Sequence, residues 1–213
     1  MDNHRPPGII HSYVFRRILW LVVVEAVMEL YFPINRLAQG GGELALAIDR
    51  HIPLVPAFIV PYLFGALLFI VLPVYAAIRI KPGEFESYIV SLLIAGVVSY
   101  IVFITLPTYV VRPEIVNQDF FSRAVGIVYK TDKAYNAAPS GHAFYTTLAF
   151  LYMSRWYPRY TPIWGIITLA ILVSTLLTRQ HNILDLVSGL ALAGLSFGVV
   201  ILIRKKWNLT FAS

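Results

Sequence analysis

Two short polar runs interrupt a greasy chain: Pro139-Ser140-Gly141-His142 and His181-Asn182-Ile183-Leu184-Asp185. A histidine and an aspartate four residues apart share one helix face. Asp185 can therefore accept a hydrogen bond from one nitrogen of His181 and leave the other as a lone-pair nucleophile. The first run supplies a second histidine, His142, and a glycine-containing helix start whose exposed N–H groups suit phosphate oxygens. Ser140 stands at that helix start, where serine serves as an N-cap, as a direct phosphate contact, or as both. These are the parts of phosphoryl transfer through a phosphohistidine: an oriented nucleophile, a proton carrier and an anion cradle.

The elements that position these residues must lie in a membrane. Hydrophobic residues make up 58% of the 213-residue chain and charged residues 13%, and the mean hydropathy is +0.72, values outside the range of soluble domains. The expected fold class is all-α, a polytopic membrane bundle forming one domain over residues 1–213 with no internal repeat. The absence of cysteine removes disulfides, thiol catalysis and thiolate metal sites. The net charge of +6 comes from cations beside apolar runs, not from a basic stripe interleaved with aromatics; membrane lipids, and no nucleic acid, are the expected partners.

Crossing about 30 Å of hydrocarbon gives six candidate spans, at about 15–32, 54–78, 85–106, 141–156, 162–178 and 182–203. Ten of the seventeen cations (Arg5, Arg16, Arg17, Arg79, Lys81, Arg155, Arg159, Arg204, Lys205 and Lys206) fall on one side of that arrangement. By the positive-inside tendency both termini are cytoplasmic, and both histidine runs face the extracytoplasmic side of a cell membrane. Two connecting segments are sizeable. Residues 33–53 carry a Gly40-Gly41-Gly42 turn and a short candidate helix from Glu43 to Arg50; residues 107–139 carry an amphipathic stripe (Ile115, Val116, Phe120, Phe121, Val125, Val128) expected to lie over the site.

Pro139-Ser140-Gly141-His142, then Ser174 with His181 and Asp185 at a fixed later spacing, and Arg112-Pro113 upstream, together resemble the type 2 phosphatidic acid phosphatase superfamily of lipid phosphate phosphatases. The resemblance implies a phospholipid or isoprenoid phosphate substrate. His181 would attack phosphorus, Asp185 would fix its tautomer, and His142 would protonate the departing oxygen and later activate water or an alcohol. Arg112, Ser140 and the backbone at Gly141 would hold the phosphate oxygens. No metal and no cofactor is called for; a zinc reading of His142, His181 and Asp185 fits the ligand types but lacks a His-Glu-x-x-His spacing.

The sequence also departs from that family. Thr105 and Thr175 occupy the positions of a lysine and an arginine that hold phosphate. Arg179 is the expected substitute, with Lys130 and Lys133 as further phosphate-binding candidates; because Arg179 and His181 are two apart, this requires a turn that curls back over the site. The segments Thr108–Pro113 and Tyr135–Pro139 resemble the branch that contains inositol phosphorylceramide synthases, which transfer head groups instead of hydrolysing them. Three functions follow: a lipid phosphate or diphosphate phosphatase, a lipid head-group phosphotransferase, and a catalytically silent lipid-binding scaffold that has lost two cations.

Several residues have structural readings. Gly189 with Ala193 and Gly194 with Gly198 are small-x-x-x-small pairs suited to close helix packing. His4, His11 and His51 read as surface residues. Glu25 and Glu29 share a helix face one turn apart, where burying a charge costs on the order of 2.5–3.5 kcal/mol each. They must meet loop arginines or neighbouring helices, or line a pocket for a hydroxylated acceptor.

Overall fold

The computed structural model describes residues 7–206. His4 and Arg5 lie outside the described residues, as does the side chain of His11. The helices are α1 (Pro7–Glu29), α2 (Tyr31–Leu37), α3 (Ile59–Arg79), α4 (Pro82–Thr105), α5 (Phe120–Thr131), α6 (Gly141–Trp156), α7 (Thr161–Leu177) and α8 (Ile183–Lys206). Two-residue strands β1 (Gly42–Glu43) and β2 (Thr108–Tyr109) pair in parallel.

Among the described residues five stretches are long and apolar enough to cross a membrane: Tyr13–Leu37, Pro56–Arg79, Pro82–Thr105, Pro158–Leu177 and Ile183–Lys206. The expected fourth span, α6, has 16 residues, about 24 Å of helix, and is not among these five. Its position explains why it can be short and mixed in composition. It packs against α4, α7 and α8, with Ala143, Leu148, Ala149 and Tyr152 almost wholly buried, so protein and not lipid surrounds it. The Tyr152 hydroxyl meets Ser91 Oγ at 2.8 Å, a polar contact across helices of the kind that holds membrane bundles together.

The boundaries follow local chemistry. Pro82 opens α4 and Pro162 lies in the first turn of α7, positions where a missing N–H costs nothing. Asp119 caps α5, its carboxylate accepting from the Ser122 hydroxyl at 2.5 Å, Ser122 N at 3.2 Å and Phe121 N at 3.0 Å, which holds that exposed carboxyl below its ordinary range.

The two ends of the bundle differ in chemistry. At one end Glu84 accepts from Arg155 Nε at 2.8 Å and from Arg204 Nη1 at 2.6 Å, and Arg16 pairs with Glu86 at 3.0 Å. At the other end lie the starts of α6 and α8 with both histidine runs. There the expected helix from Glu43 to Arg50 is replaced by β1 and a 3-10 turn over Ala47–His51. Gly42 N donates to Pro107 O at 3.0 Å, and Gly41, at φ +108°, passes so close to the Pro107 carbonyl that any side chain would collide with it. That approach fixes the pairing of β1 with β2 and overrides the helical spacing downstream.

Helix α5 lies across the start of α3. Val125 packs with Ile59 and Tyr62, while Val116, Phe120 and Ile127 remain exposed. Because Gln118 and the neighbouring Asn117 are exposed on the histidine side and Lys205 at the opposite end, a labelling experiment reads the orientation. In intact cells Asn117→Cys should react with an impermeant thiol reagent and Lys205→Cys should not, against a background free of native cysteine; the reverse pattern would put the histidines on the cytoplasmic side.

Candidate active site

The two polar runs meet at the crossing of α6 and α8. Ser140 N donates to the Asp185 carbonyl at 3.0 Å, tying one histidine run to the other. Gly189 permits this approach: a Cβ there would lie 2.7 Å from both Ser140 O and Ala143 Cβ. Gly189 and fully buried Ala193 thus form the packing seam, whereas nothing lies within 4 Å of where a Cβ at Gly194 or Gly198 would be. The second small pair therefore makes no close helix contact.

Asp185 does two jobs with one carboxylate. Its Oδ2 accepts from Asn182 N at 2.7 Å, which caps α8, and lies 3.7 Å from His181 Nδ1. That is too long for a hydrogen bond, yet it turns Nδ1 toward the acid and leaves Nε2 directed away; apo catalytic contacts are commonly loose in this way. Asp185 is 0% exposed and the His181 side chain 12%. The backbone before His181 is held as firmly. The Thr175 carbonyl accepts from Gln180 N at 2.9 Å and His181 N at 3.3 Å, and Arg179 adopts a left-handed φ of 53° to make the turn.

His142, in the first turn of α6, stacks on Tyr62 with ring centroids 4.2 Å apart. Gly65 opposite leaves room for it. The His142 and His181 ring centroids are 6.4 Å apart, and His142 Nε2 and His181 Nδ1 are buried without a partner. The two rings are thus neighbours on the wall of one cavity. Ser140 is 0% exposed and caps α6, its hydroxyl accepting from Ala143 N at 3.3 Å.

Gly141, His142 and His181 line a cavity of about 420 Å³; Ser140 and Asp185 stand behind them. The cations stand aside. Arg112 donates to Asp132 O at 2.6 Å and to Gln180 Oε1 at 2.6 Å, clamping together the loops that lead into the two histidine runs. Arg179 donates to Asp49 O at 2.5 Å, and the Asp49 carboxylate accepts from Ile183 N at 3.0 Å. Both guanidinium groups act on Tyr129, whose phenol burial pushes up to about 12 while the two cations pull it down. Lys133 reaches Arg36 O at 2.7 Å, and Lys130 is exposed.

Thr105 and Thr175 turn their hydroxyls back onto their own helices, to Ile101 O at 2.7 Å and Leu172 O at 2.8 Å. Neither replaces the cation of its family position.

Further cavity residues carry no obvious sequence signal. Asn136 is 2% exposed, at φ 58°, with both amide atoms unpartnered. Asp132 accepts from Tyr31 OH at 2.6 Å, and burial holds its carboxyl above the ordinary range against the opposing pull of Tyr31, Arg112 and His181. A buried amide left without partners costs about 1–3 kcal/mol, a sign of a ligand position. Glu25 and Glu29 also line the cavity, and no arginine pairs with either among the described residues.

A family model described as PAP2 superfamily matches residues 41–199. The chain belongs to the PAP2 superfamily. Neither the curated proteins nor the solved structures yield a match. The matched range of the PAP2 superfamily takes in Arg112, both histidine runs and Asp185, and membership supports a phosphatase-like enzyme of lipid phosphates.

The crossing of α6 and α8 generates a direct test. Gly189→Ala should push Ser140 and Ala143 away from α8, destabilise the protein by about 1–3 kcal/mol, and lower activity more than a matched Gly194→Ala. Thermal unfolding in detergent with parallel activity measurements reads both; an unaltered Gly189→Ala protein would remove the seam from the site's support.

Proposed function

We propose that the protein is an integral-membrane lipid phosphate or diphosphate phosphatase that works through a phosphohistidine on His181, without a metal or cofactor. The observation that carries the reading is the pair of neighbouring imidazoles, one backed by the buried Asp185 carboxylate, at one end of a membrane bundle. In the reaction, His181 Nε2 forms a bond to phosphorus as the phosphorus–oxygen bond to the lipid breaks, and His142 supplies the proton to the departing oxygen. His142 then takes a proton from water, whose oxygen displaces His181 from phosphorus and releases phosphate. Asp185 keeps the His181 proton on Nδ1. The free N–H groups at the start of α6 meet the phosphate oxygens, Ser140 caps that helix, and Arg112, Arg179, Lys130 and Lys133 add positive charge from behind the cavity wall. Both termini are cytoplasmic in this reading and the site is extracytoplasmic.

One observation favours head-group transfer of the inositol phosphorylceramide synthase type as a second reading. Among the described residues lining the cavity there are the acids Glu25, Glu29 and Asp132 but no lysine or arginine. A doubly charged phosphate monoester is disfavoured there more than a singly charged phosphodiester.

Incubating the purified protein with lipid monophosphates, diphosphates and phosphodiesters, with and without alcohol acceptors, separates the readings. Free phosphate supports hydrolysis and a new phosphodiester supports transfer; neither, on any substrate, favours the silent scaffold. His181→Ala should reduce turnover by at least about 10⁴-fold with folding intact. Wild-type turnover in that variant would end the covalent mechanism.

A further inference from the structure

The cavity continues past the histidines. Tyr145 lies one turn, about 5 Å, beyond His142 on α6, and Phe69 joins the two, its ring centroid 5.0 Å from that of His142 and 4.2 Å from that of Tyr145. Glu25, half-buried, and Glu29, exposed at its rim, line the same cavity from α1. Glu25 Oε1 is buried without a partner. Independently, Tyr145 is only 7% exposed and lines the cavity with its hydroxyl unpartnered. Two carboxyl groups and a phenol thus line one cavity, and the described residues supply no cation to them.

We propose that Glu25, Glu29 and Tyr145 form a subsite for an ammonium group carried by the lipid backbone near its phosphorylated oxygen. The proposal rests on the lipid-phosphate reading and names the substrate class within it. A carboxylate only accepts hydrogen bonds. A glycerol diester offers ester carbonyls, which are acceptors too, and an isoprenoid chain offers no polar group at all; either would leave the acids unpaired in an apolar wall. A primary ammonium brings three donors and the missing positive charge. The spacing fits a group on the backbone of the lipid, since the wall begins one helical turn from the imidazoles. The preferred ligand is then a zwitterion: phosphate between the histidines, ammonium against the acids, tail along the remaining apolar wall formed by residues such as Leu63 and Ile70.

Binding separates this claim from turnover. The purified protein in neutral detergent is titrated with a radiolabelled long-chain vicinal amino alcohol and, separately, with the same alcohol lacking the nitrogen. Wild type should bind the amine about tenfold more tightly. In Glu25→Gln/Glu29→Gln the ratio should fall to about twofold or less, and Tyr145→Phe, a milder change that leaves both acids in place, should reduce it in part. Equal affinities in wild type, or a preference that survives the double substitution, would overturn the subsite. If the amine preference holds while no lipid phosphate is turned over, the subsite stands and the phosphatase reading fails. If lipid phosphates are turned over without an amine preference, the reverse applies.

Discussion

Asp185 is the residue on which the site depends. Its backbone carbonyl receives Ser140 N–H at 3.0 Å and its carboxylate receives Asn182 N–H at 2.7 Å while facing His181. Two helix starts, those of α6 and α8, are thereby brought side by side. Each carries partial positive charge from unpaired N–H groups, so their convergence repels unless an anion lies between or beneath them. The buried carboxylate supplies that charge from beneath. What it leaves on the cavity side is a pair of imidazoles and a helix terminus suited to a second anion.

The electrostatics of the cavity are otherwise unusual for a phosphate site. Arg112 and Arg179 are engaged by carbonyl oxygens of neighbouring loops, and Thr105 and Thr175 bond their own helices. In the proposed reaction the transferring group is therefore held mainly by oriented dipoles, with the guanidinium groups fixing the loops that carry the histidines. Oriented dipoles in a dry site require no reorganisation as charge develops. The same scarcity of cations makes the acids on α1 consequential, because they lie in the cavity with no counter-charge among the described residues.

Much of this was readable from residue patterns because helices and short motifs are local. The apolar runs located α3, α4, α7 and α8 to within about five residues at each end, whereas α1 begins at Pro7, eight positions before the expected span, and the Ser140-Gly141 step marked the start of α6. The amphipathic stripe announced α5, although its first two members, Ile115 and Val116, precede the helix. For Arg179 to curl over the site its spacing from His181 required a turn; φ at Arg179 is left-handed, but the guanidinium reaches Asp49 O and does not line the cavity. What resisted reading was set by distant contacts. The pairing of Gly42–Glu43 with Thr108–Tyr109 depends on the Gly41 approach to Pro107, sixty-odd positions away, and displaced the helix expected from Glu43. Asp132 and Asn136 join the cavity only because Tyr31, Asn35 and Arg112 fold their loop inward; Asn35 alone donates to Lys133 O at 3.1 Å and Tyr135 O at 3.0 Å. The direction faced by Glu25 and Glu29 depends on how α1 is rotated against its neighbours, which a spacing of four cannot fix.

The most direct test of the two-histidine arrangement is to trap the covalent intermediate. Lipid phosphate labelled with radioactive phosphorus is mixed with the protein, quenched within milliseconds in alkaline denaturant, and digested for mass spectrometry. A label that is stable in base, labile in acid and mapped to His181, with none on His142 and none in Asp185→Asn above background, is the expected result. Turnover with no protein-bound phosphate, or a label on His142 instead, would contradict the assignment of His181 as the nucleophile.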